Sequence, residues 1–337
     1  MTTSSRLMIV RHRQMTKLPI SDLQSSSQVC RGQSRDEECR HVFRFKRFSV
    51  VNERSAMKVN TDGVLLGALA TVDKSCSRVL DVGTGTGTIA LMIAQRCFVG
   101  KCAVAGVGSD GGKNIDARDV AYAVAGVDSD VGKIIDAGDV AYADADKNDV
   151  VAEGAVVKIE AVEIDYDSAT EAAYNFSQSP WSRSLKVYNC SLDDYGNTVC
   201  GGGFDLIVSN PPFFEETLHS PDARKARTRH ADSLSWRNLV DFAVKWLNDG
   251  KESRLSVILP ASQELSLTRY AAENELFLCR VVHIKSSERK PVSRSIMEFS
   301  RRRTHKCDIQ REKLTINASN GYTREYLDVM HDFLLFA

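Results

Sequence analysis

The sequence predicts a doubly wound α/β protein built on a mainly parallel seven-stranded sheet with an antiparallel C-terminal edge strand. Three observations carry this expectation. A short apolar strand runs directly into a glycine loop and an apolar helix at 78–96. Short apolar strands then keep alternating with helical stretches as far as residue 274, the pattern of a parallel sheet with helices on both faces. The last two strands have no helix between them, so they pair antiparallel.

Taken in order, residues 1–40 are polar and aperiodic and read as a poorly ordered N-terminal extension. They carry Ser and Arg and no acid before Asp22, a pattern shared with organellar transit peptides, although a plain disordered extension accounts for it. Residues 43–48 alternate aromatic with basic side chains, as a half-buried strand does. The segment 56–63 (AMKVNTDG) leads into a helix over 64–71. A strand over 78–82, the loop Gly83-Thr84-Gly85-Thr86-Gly87 and a helix over 88–96 follow. Further strands are expected at 158–165, 185–188, 204–208, 255–259, 276–284 and 295–299, with helices at 169–177, 234–247 and 262–274. This makes one folded domain over 41–305 and a C-terminal tail over 306–337.

The domain is interrupted at 98–157. Residues 104–123 (VAGVGSDGGKNIDARDVAYA) recur at 124–143 as VAGVDSDVGKIIDAGDVAYA, with 16 of 20 positions identical. Two copies are too few for a solenoid. Between 104 and 153, eleven acids face four bases, a net −7. The segment reads as an acidic, weakly ordered insertion. Its aspartates lack the spacing of a calcium loop.

Composition narrows the function. The 337 residues are 43% hydrophobic with zero net charge, so no global field points to nucleic acid. Locally the balance differs: residues 283–303 hold seven bases and two acids, a net +5. The nine cysteines form no C-x-x-C pair, as expected of reduced thiols in a cytoplasmic enzyme without a metal site. No apolar run approaches the roughly 18 residues of a membrane span. The expected protein is monomeric, with neither membrane nor metal.

A backbone that turns sharply and lets a ligand approach needs glycine. The spacing at Gly83, Gly85 and Gly87 is G-x-G-x-G. A dinucleotide fold wants G-x-G-x-x-G, and residue 88 is Thr, which counts against a nicotinamide-dependent oxidoreductase. Glu163 ends the next strand, where a carboxylate meets ribose hydroxyls. Asp128 and Asp130 imitate such a strand end inside the repeat, but no helix follows them. Asp81 closes the first strand, placed either to meet a ligand's ammonium group or to hold the loop.

The most specific local signal is Asn210-Pro211-Pro212-Phe213 after four apolar strand residues. Two prolines donate no hydrogen bonds and hold the chain extended, leaving nearby carbonyls free to accept. An exocyclic amine on adenine is a poor nucleophile because its lone pair is delocalised into the ring. The Asn210 side-chain oxygen and the Pro211 carbonyl can hold its two N–H groups so that it gains tetrahedral character. Phe213 offers a ring on which an extruded base stacks, worth roughly 1–3 kcal/mol.

With these residues in view, the chain resembles the bacterial tRNA1(Val) adenine-37 N6-methyltransferases. The resemblance covers about 43–300 without the insertion. It rests on FRFKRFSVVNERSAMKVNTDGVLLGALA, VLDVGTGTGTIALMIAQR, AVEIDYDSATEAAYNFSQSPW, DLIVSNPPFFEETLHSPD and RTRHADSLSW. The Asn-Pro-Pro-aromatic motif is shared with DNA adenine, rRNA guanine-N2 and protein glutamine methyltransferases; MKVNTDG and SPD…ARTRH favour the tRNA branch.

The resemblance implies a class I methyltransferase fold, S-adenosylmethionine as methyl donor and tRNA as partner, with the adenine 3′ of the valine anticodon as target. It implies that Asp81, Gly83, Thr84, Gly85, Gly87 and Glu163 hold the cofactor, with Ser191 and Leu192 flanking its adenine. Asn210 to Phe213 would hold the target base. Lys58, Arg224, Lys225, Arg227 and Arg229 are candidate phosphate contacts, with Arg44, Lys46, Arg47 and His230 beside them. A non-catalytic RNA-binding protein is the alternative left by the insertion.

Overall fold

The structure, a computed structural model, describes residues 41–102, 134–135, 157–199, 201–212 and 234–337. Its strands are β1 (Val42–Arg44), β2 (Ser49–Val51), β3 (Arg78–Val82), β4 (Ile134–Ile135), β5 (Lys158–Glu163), β6 (Leu185–Asn189), β7 (Leu206–Ser209), β8 (Arg254–Pro260), β9 (Phe277–Ser287), β10 (Val292–Ser300), β11 (Gln310–Ala318) and β12 (Gly321–Tyr322). Its α-helices are α1 (Thr61–Leu69), α2 (Thr88–Cys102), α3 (Tyr166–Ser177), α4 (Leu192–Thr198), α5 (Trp236–Trp246), α6 (Glu264–Glu273) and α7 (Arg324–Met330).

The main sheet runs β12-β11-β9-β10-β8-β7-β3-β5-β6-β4. Strands β6, β5, β3, β7 and β8 are parallel, and β10 is antiparallel to both β8 and β9. The long reversed strand β10 therefore lies inside the sheet, between β8 and β9, while the two-residue strands β12, at the C-terminal edge, and β4, at the opposite edge, are each antiparallel to their neighbour. A parallel core covered on both faces must be apolar on both faces. Along β3, accordingly, Val79 packs with α1, α2, α3 and α7, while Leu80 and Val82 pack with α4, α5 and α6.

Residues 43–48 do not form one strand. Phe45 donates its N–H to the Phe48 carbonyl at 2.9 Å, closing a hairpin between β1 and β2. Phe45 and Phe48 are both buried and stack with ring centroids 4.4 Å apart. Side chains three apart cannot share one face of a strand, so burying both rings requires the turn.

Residues 306–337 are not a tail. β11 adds to β9 in parallel, from Gln310 opposite Arg280 to Asn317 opposite Ser287. Tyr326, Met330, Phe333 and Leu334 enter the core with the residues of α1 and α2. Leu334 bridges to Phe45, and Gln95 of α2 donates to the Asp332 carbonyl at 2.7 Å. Each apolar contact is separated by hundreds of residues from its partner, which is why local pattern missed it.

Within 98–157, α2 continues to Cys102, Val157 is fully buried, and Ile134–Ile135 pairs antiparallel with Val187 and Tyr188 of β6. The rest of the insertion, like 1–40, lies outside the described residues. The chain returns from it where the Lys158 N–H meets the Ser77 carbonyl at 2.8 Å, at the amino edge of β3 and β5.

Candidate active site

The two strand ends that matter are neighbours. Val82 of β3 stands opposite Ser209 of β7 and opposite Val162 of β5. The glycine loop follows Val82, Asn210 follows Ser209 and Glu163 follows Val162, so all three meet at the carboxyl edge. The Ser209 hydroxyl ties β7 to β3 by donating to the Val82 carbonyl at 2.8 Å.

Gly83, Gly85 and Gly87 all have left-handed φ, at 67°, 56° and 82°. At Gly87 the requirement is also steric: a Cβ there would lie 2.5 Å from Cε1 of Phe176. A Cβ at Gly85 would meet Ser55 Oγ and the Met57 carbonyl at 3.8 Å, so the loop faces the segment 53–58 across an ordinary van der Waals gap. Glu163 Oε2 accepts the Gly85 N–H at 2.9 Å and Oε1 accepts the Asp165 N–H at 3.0 Å. Burial pushes this carboxyl above the usual carboxylate range, against those two hydrogen bonds. Each oxygen keeps a lone pair for a further donor.

Asp81 is fully buried. Its Oδ2 accepts from the Thr84 hydroxyl at 2.6 Å and the Ala90 N–H at 3.1 Å, so it holds both the loop and the first turn of α2. Its Oδ1 has no partner. Burial, with the Glu163 charge adding to it, raises its carboxyl to about 7.

Asn210 is 7% exposed. Its Nδ2 donates to Asn60 Oδ1 at 3.4 Å, and its own Oδ1 is buried without a partner. An amide whose nitrogen is engaged and whose oxygen is not is an acceptor held ready. Pro211 is buried and Pro212 half-buried. The chain returns at Leu234, whose Cδ2 lies 3.2 Å from where a Gly83 Cβ would be.

Ser191 caps α4, its hydroxyl accepting the Asp194 N–H at 3.0 Å, and Leu192 is buried among Leu80, Val82 and Val162. Both thus stand at the carboxyl end of β6, two strands from β3. Lys58 donates to the Glu53 carbonyl at 2.7 Å, and Lys46 donates to the Ala337 carbonyl at 2.9 Å, so each is engaged inside the molecule. Phe213, Arg224, Lys225, Arg227, Arg229 and His230 lie outside the described residues.

The sequence reading missed what builds the wall opposite the loop. Glu171 of α3 accepts the N–H groups of Glu53, Arg54 and Ser55 at 2.6, 2.9 and 3.0 Å. Asn175, one turn on, binds the Val51 N–H and carbonyl and the Thr86 carbonyl at 2.8, 3.0 and 2.9 Å. Two polar residues at i and i+4 on an otherwise apolar helix face were the available signal. Asn60 is the other omission; its oxygen also caps α1 through the Gly63 N–H at 2.8 Å.

Among the described residues no cluster of His, Cys, Asp or Glu could hold a metal, and no helix is long and apolar enough to cross a membrane.

The order of the central strands, with β10 reversed between β8 and β9, is that of the class I methyltransferase fold, and the glycine loop and Asn210 share its carboxyl edge. The chain belongs to the tRNA1(Val) (adenine(37)-N6)-methyltransferase family. The protein of that name from Trichodesmium erythraeum is 36% identical over 296 residues, covering 87% of this chain and 97% of its own length. That from Parabacteroides distasonis is 31% identical over 293 residues, covering 87% and 97%. Among solved structures, a predicted O-methyltransferase of Agrobacterium tumefaciens aligns at TM-score 0.47 and 13% identity, covering 81% of this chain and 96% of that one. No family model matches the chain.

Proposed function

We propose that this protein methylates the exocyclic N6 amine of an adenine in tRNA, at the position its relatives' names give, adenine 37 of tRNA1(Val). The observation that carries the reading is the unpartnered, buried Oδ1 of Asn210 beside the glycine loop.

The residues fit S-adenosylmethionine. Three left-handed glycines let the loop turn tightly, with room beside Gly85, and a carboxylate from the next strand grips the loop's centre. When bound there, the cofactor supplies an electrophilic sulfonium methyl. Gly83, Thr84, Gly85 and Gly87 shape the loop, and Glu163 both holds the Gly85 N–H and keeps lone pairs for ribose hydroxyls. Asp81 acts one layer below, keeping the loop and α2 in register. Ser191 and Leu192 form the far wall.

Asn210 does the work on the substrate side. Its Oδ1, with the Pro211 carbonyl, accepts the two N–H groups of the adenine amine and turns the nitrogen lone pair out of the ring plane. The rate gain then comes from positioning and fixed dipoles, with no side chain acting as nucleophile. Pro211 and Pro212 donate no hydrogen bonds, which leaves that carbonyl free to accept, and Phe213 supplies a stacking face. Arg224, Lys225, Arg227 and Arg229 are assigned to the phosphates. With tRNA as substrate, we place the protein in the cytoplasm.

Labelled methyl transfer to total tRNA, followed by nucleoside analysis, tests the proposal. N6-methyladenosine is the expected product. Transfer to DNA, to guanine N2 or to a protein glutamine, with none to tRNA adenine, overturns it.

A further inference from the structure

The basic run at 283–303 is cut in two by the fold. Strand β10 carries Arg301, Arg302 and Arg303 to the amino edge of the sheet, where Arg301 donates to the Leu247 carbonyl at 2.9 Å. Lys285, Arg289, Lys290 and Arg294 go to the carboxyl edge, which also carries the glycine loop and Asn210. Of the two acids in the run, Glu298 is buried, and only Glu288 reaches that edge.

The β9–β10 hairpin stands beside the site, two to three strands from β7, and projects past its strand ends. Arg294 is level with Pro260, the last residue of β8, whereas Ser209 is level with Val257. The strands run on to pair Lys285 with Val292, and the turn 286–291 rises further. At ~3.3 Å per residue, the tip stands about 10 Å beyond the end of β8. Its base is moored to the site: Arg294 Nε meets Asp62 Oδ2 at 2.8 Å, and Asp62 is two residues from Asn60, the partner of Asn210. Arg289 and Lys290 are exposed at the tip, and Lys285 donates to the Glu288 carbonyl at 2.5 Å, shaping the turn.

We propose that this hairpin is a phosphate-docking arm that grips the RNA backbone flanking the adenine held at Asn210. Resting on the RNA-substrate reading above, it adds a contact surface that lies far in sequence from the Asn-Pro-Pro corner. A strand-borne arm suits the purpose because a flipped base carries its backbone phosphates away from the pocket by several ångströms on either side. Cations released from the phosphates that Lys and Arg side chains neutralise give each contact a measurable salt signature.

The test uses the full chain and an unmodified anticodon stem-loop RNA carrying a fluorophore, titrated over a potassium chloride series. Arg289→Glu with Lys290→Glu is expected to weaken binding at least tenfold. It should also flatten the dependence of log Kd on log salt by about 1–2, near 0.7 per lost contact to a single-stranded phosphate. Glu288→Lys is expected to tighten binding and steepen that dependence, a gain that misfolding cannot produce. The thermal shift caused by S-adenosylhomocysteine should be the same in all three proteins. Equal Kd and equal salt slope in the variants and the wild type overturn the arm. If wild type methylates tRNA and the variants bind RNA like wild type, the arm falls and the activity stands. If wild type binds RNA through the arm but methylates none, the activity falls and the arm stands.

Discussion

Asn210 donates its amide N–H to Asn60 at 3.4 Å, and this contact decides which end of the Asn210 amide faces the site. Asn60 Oδ1 is held by the Gly63 N–H and its Nδ2 by the Lys58 carbonyl, so it has little freedom to turn. Asn60 is thus a positioning residue for Asn210. A serine at 60 still caps α1 but falls short of Asn210, whereas an aspartate keeps both roles. Asn60→Ser is therefore expected to lower kcat about tenfold with cofactor affinity and Tm near wild type, and Asn60→Asp to restore most of the loss. Equal kcat for the serine variant would remove Asn60 from the mechanism.

Asn210→Ala removes the acceptor itself. By analogy with the loss of one preorganised hydrogen-bonding group, kcat should drop by about 10²–10³ or more, with S-adenosylhomocysteine binding within a few-fold of wild type. Calorimetric titration beside single-turnover methylation separates the two quantities. Near-normal turnover would refute the assigned role.

Glu163 accepts the Gly85 N–H, and the proposed cofactor role of this carboxylate can be tested directly. Glu163→Ala should weaken S-adenosylhomocysteine binding at least tenfold. Glu163→Gln, which keeps one oxygen for the Gly85 N–H, should lie between alanine and wild type. An alanine variant that binds the ligand normally would show that the carboxylate serves only the fold.

Asp81 makes a prediction about pH. Its carboxyl is raised to about 7 in the folded protein, chiefly by burial, against 3.8 for an exposed aspartate. Between those values the folded state holds a proton that the unfolded chain releases, so rising pH lowers stability across that window and then stops doing so. Asp81→Asn cannot ionise. Its stability relative to wild type should therefore rise from pH 5 to pH 8, measured by urea unfolding. A constant difference across that range would contradict the assignment.

Gly87→Ala combines a left-handed φ with a Cβ placed 2.5 Å from Phe176. Strain of about 1–2 kcal/mol and overpacking of about 1–3 kcal/mol should together cost roughly 2–5 kcal/mol. Denaturant midpoints check this. The same substitution at Gly201, also left-handed but with nothing within 4 Å of its Cβ, should cost only the first part.

The sheet's central architecture was legible because each strand-loop-helix unit is local: Val79, Leu80 and Val82 are apolar, the glycines follow at once, and a helix completes the turn. The same locality exposed Asn210 and Pro211, where composition and strand end coincide. The hairpin at Phe45 and Phe48 escaped because alternation alone cannot report which rings are buried together.

By itself, the sequence determined the class of fold through its alternating strands and helices, and it located the glycine loop and the Asn-Pro-Pro corner, whose backbone geometry is set by their own glycines and prolines. Tertiary structure alone decided three things. It drew 310–337 into the sheet and core, it set Asn60 against Asn210, and it split the basic run 283–303 between opposite edges. All three depend on contacts between residues distant along the chain, whose pairing is chosen by burial of shared apolar surface and not by any local preference.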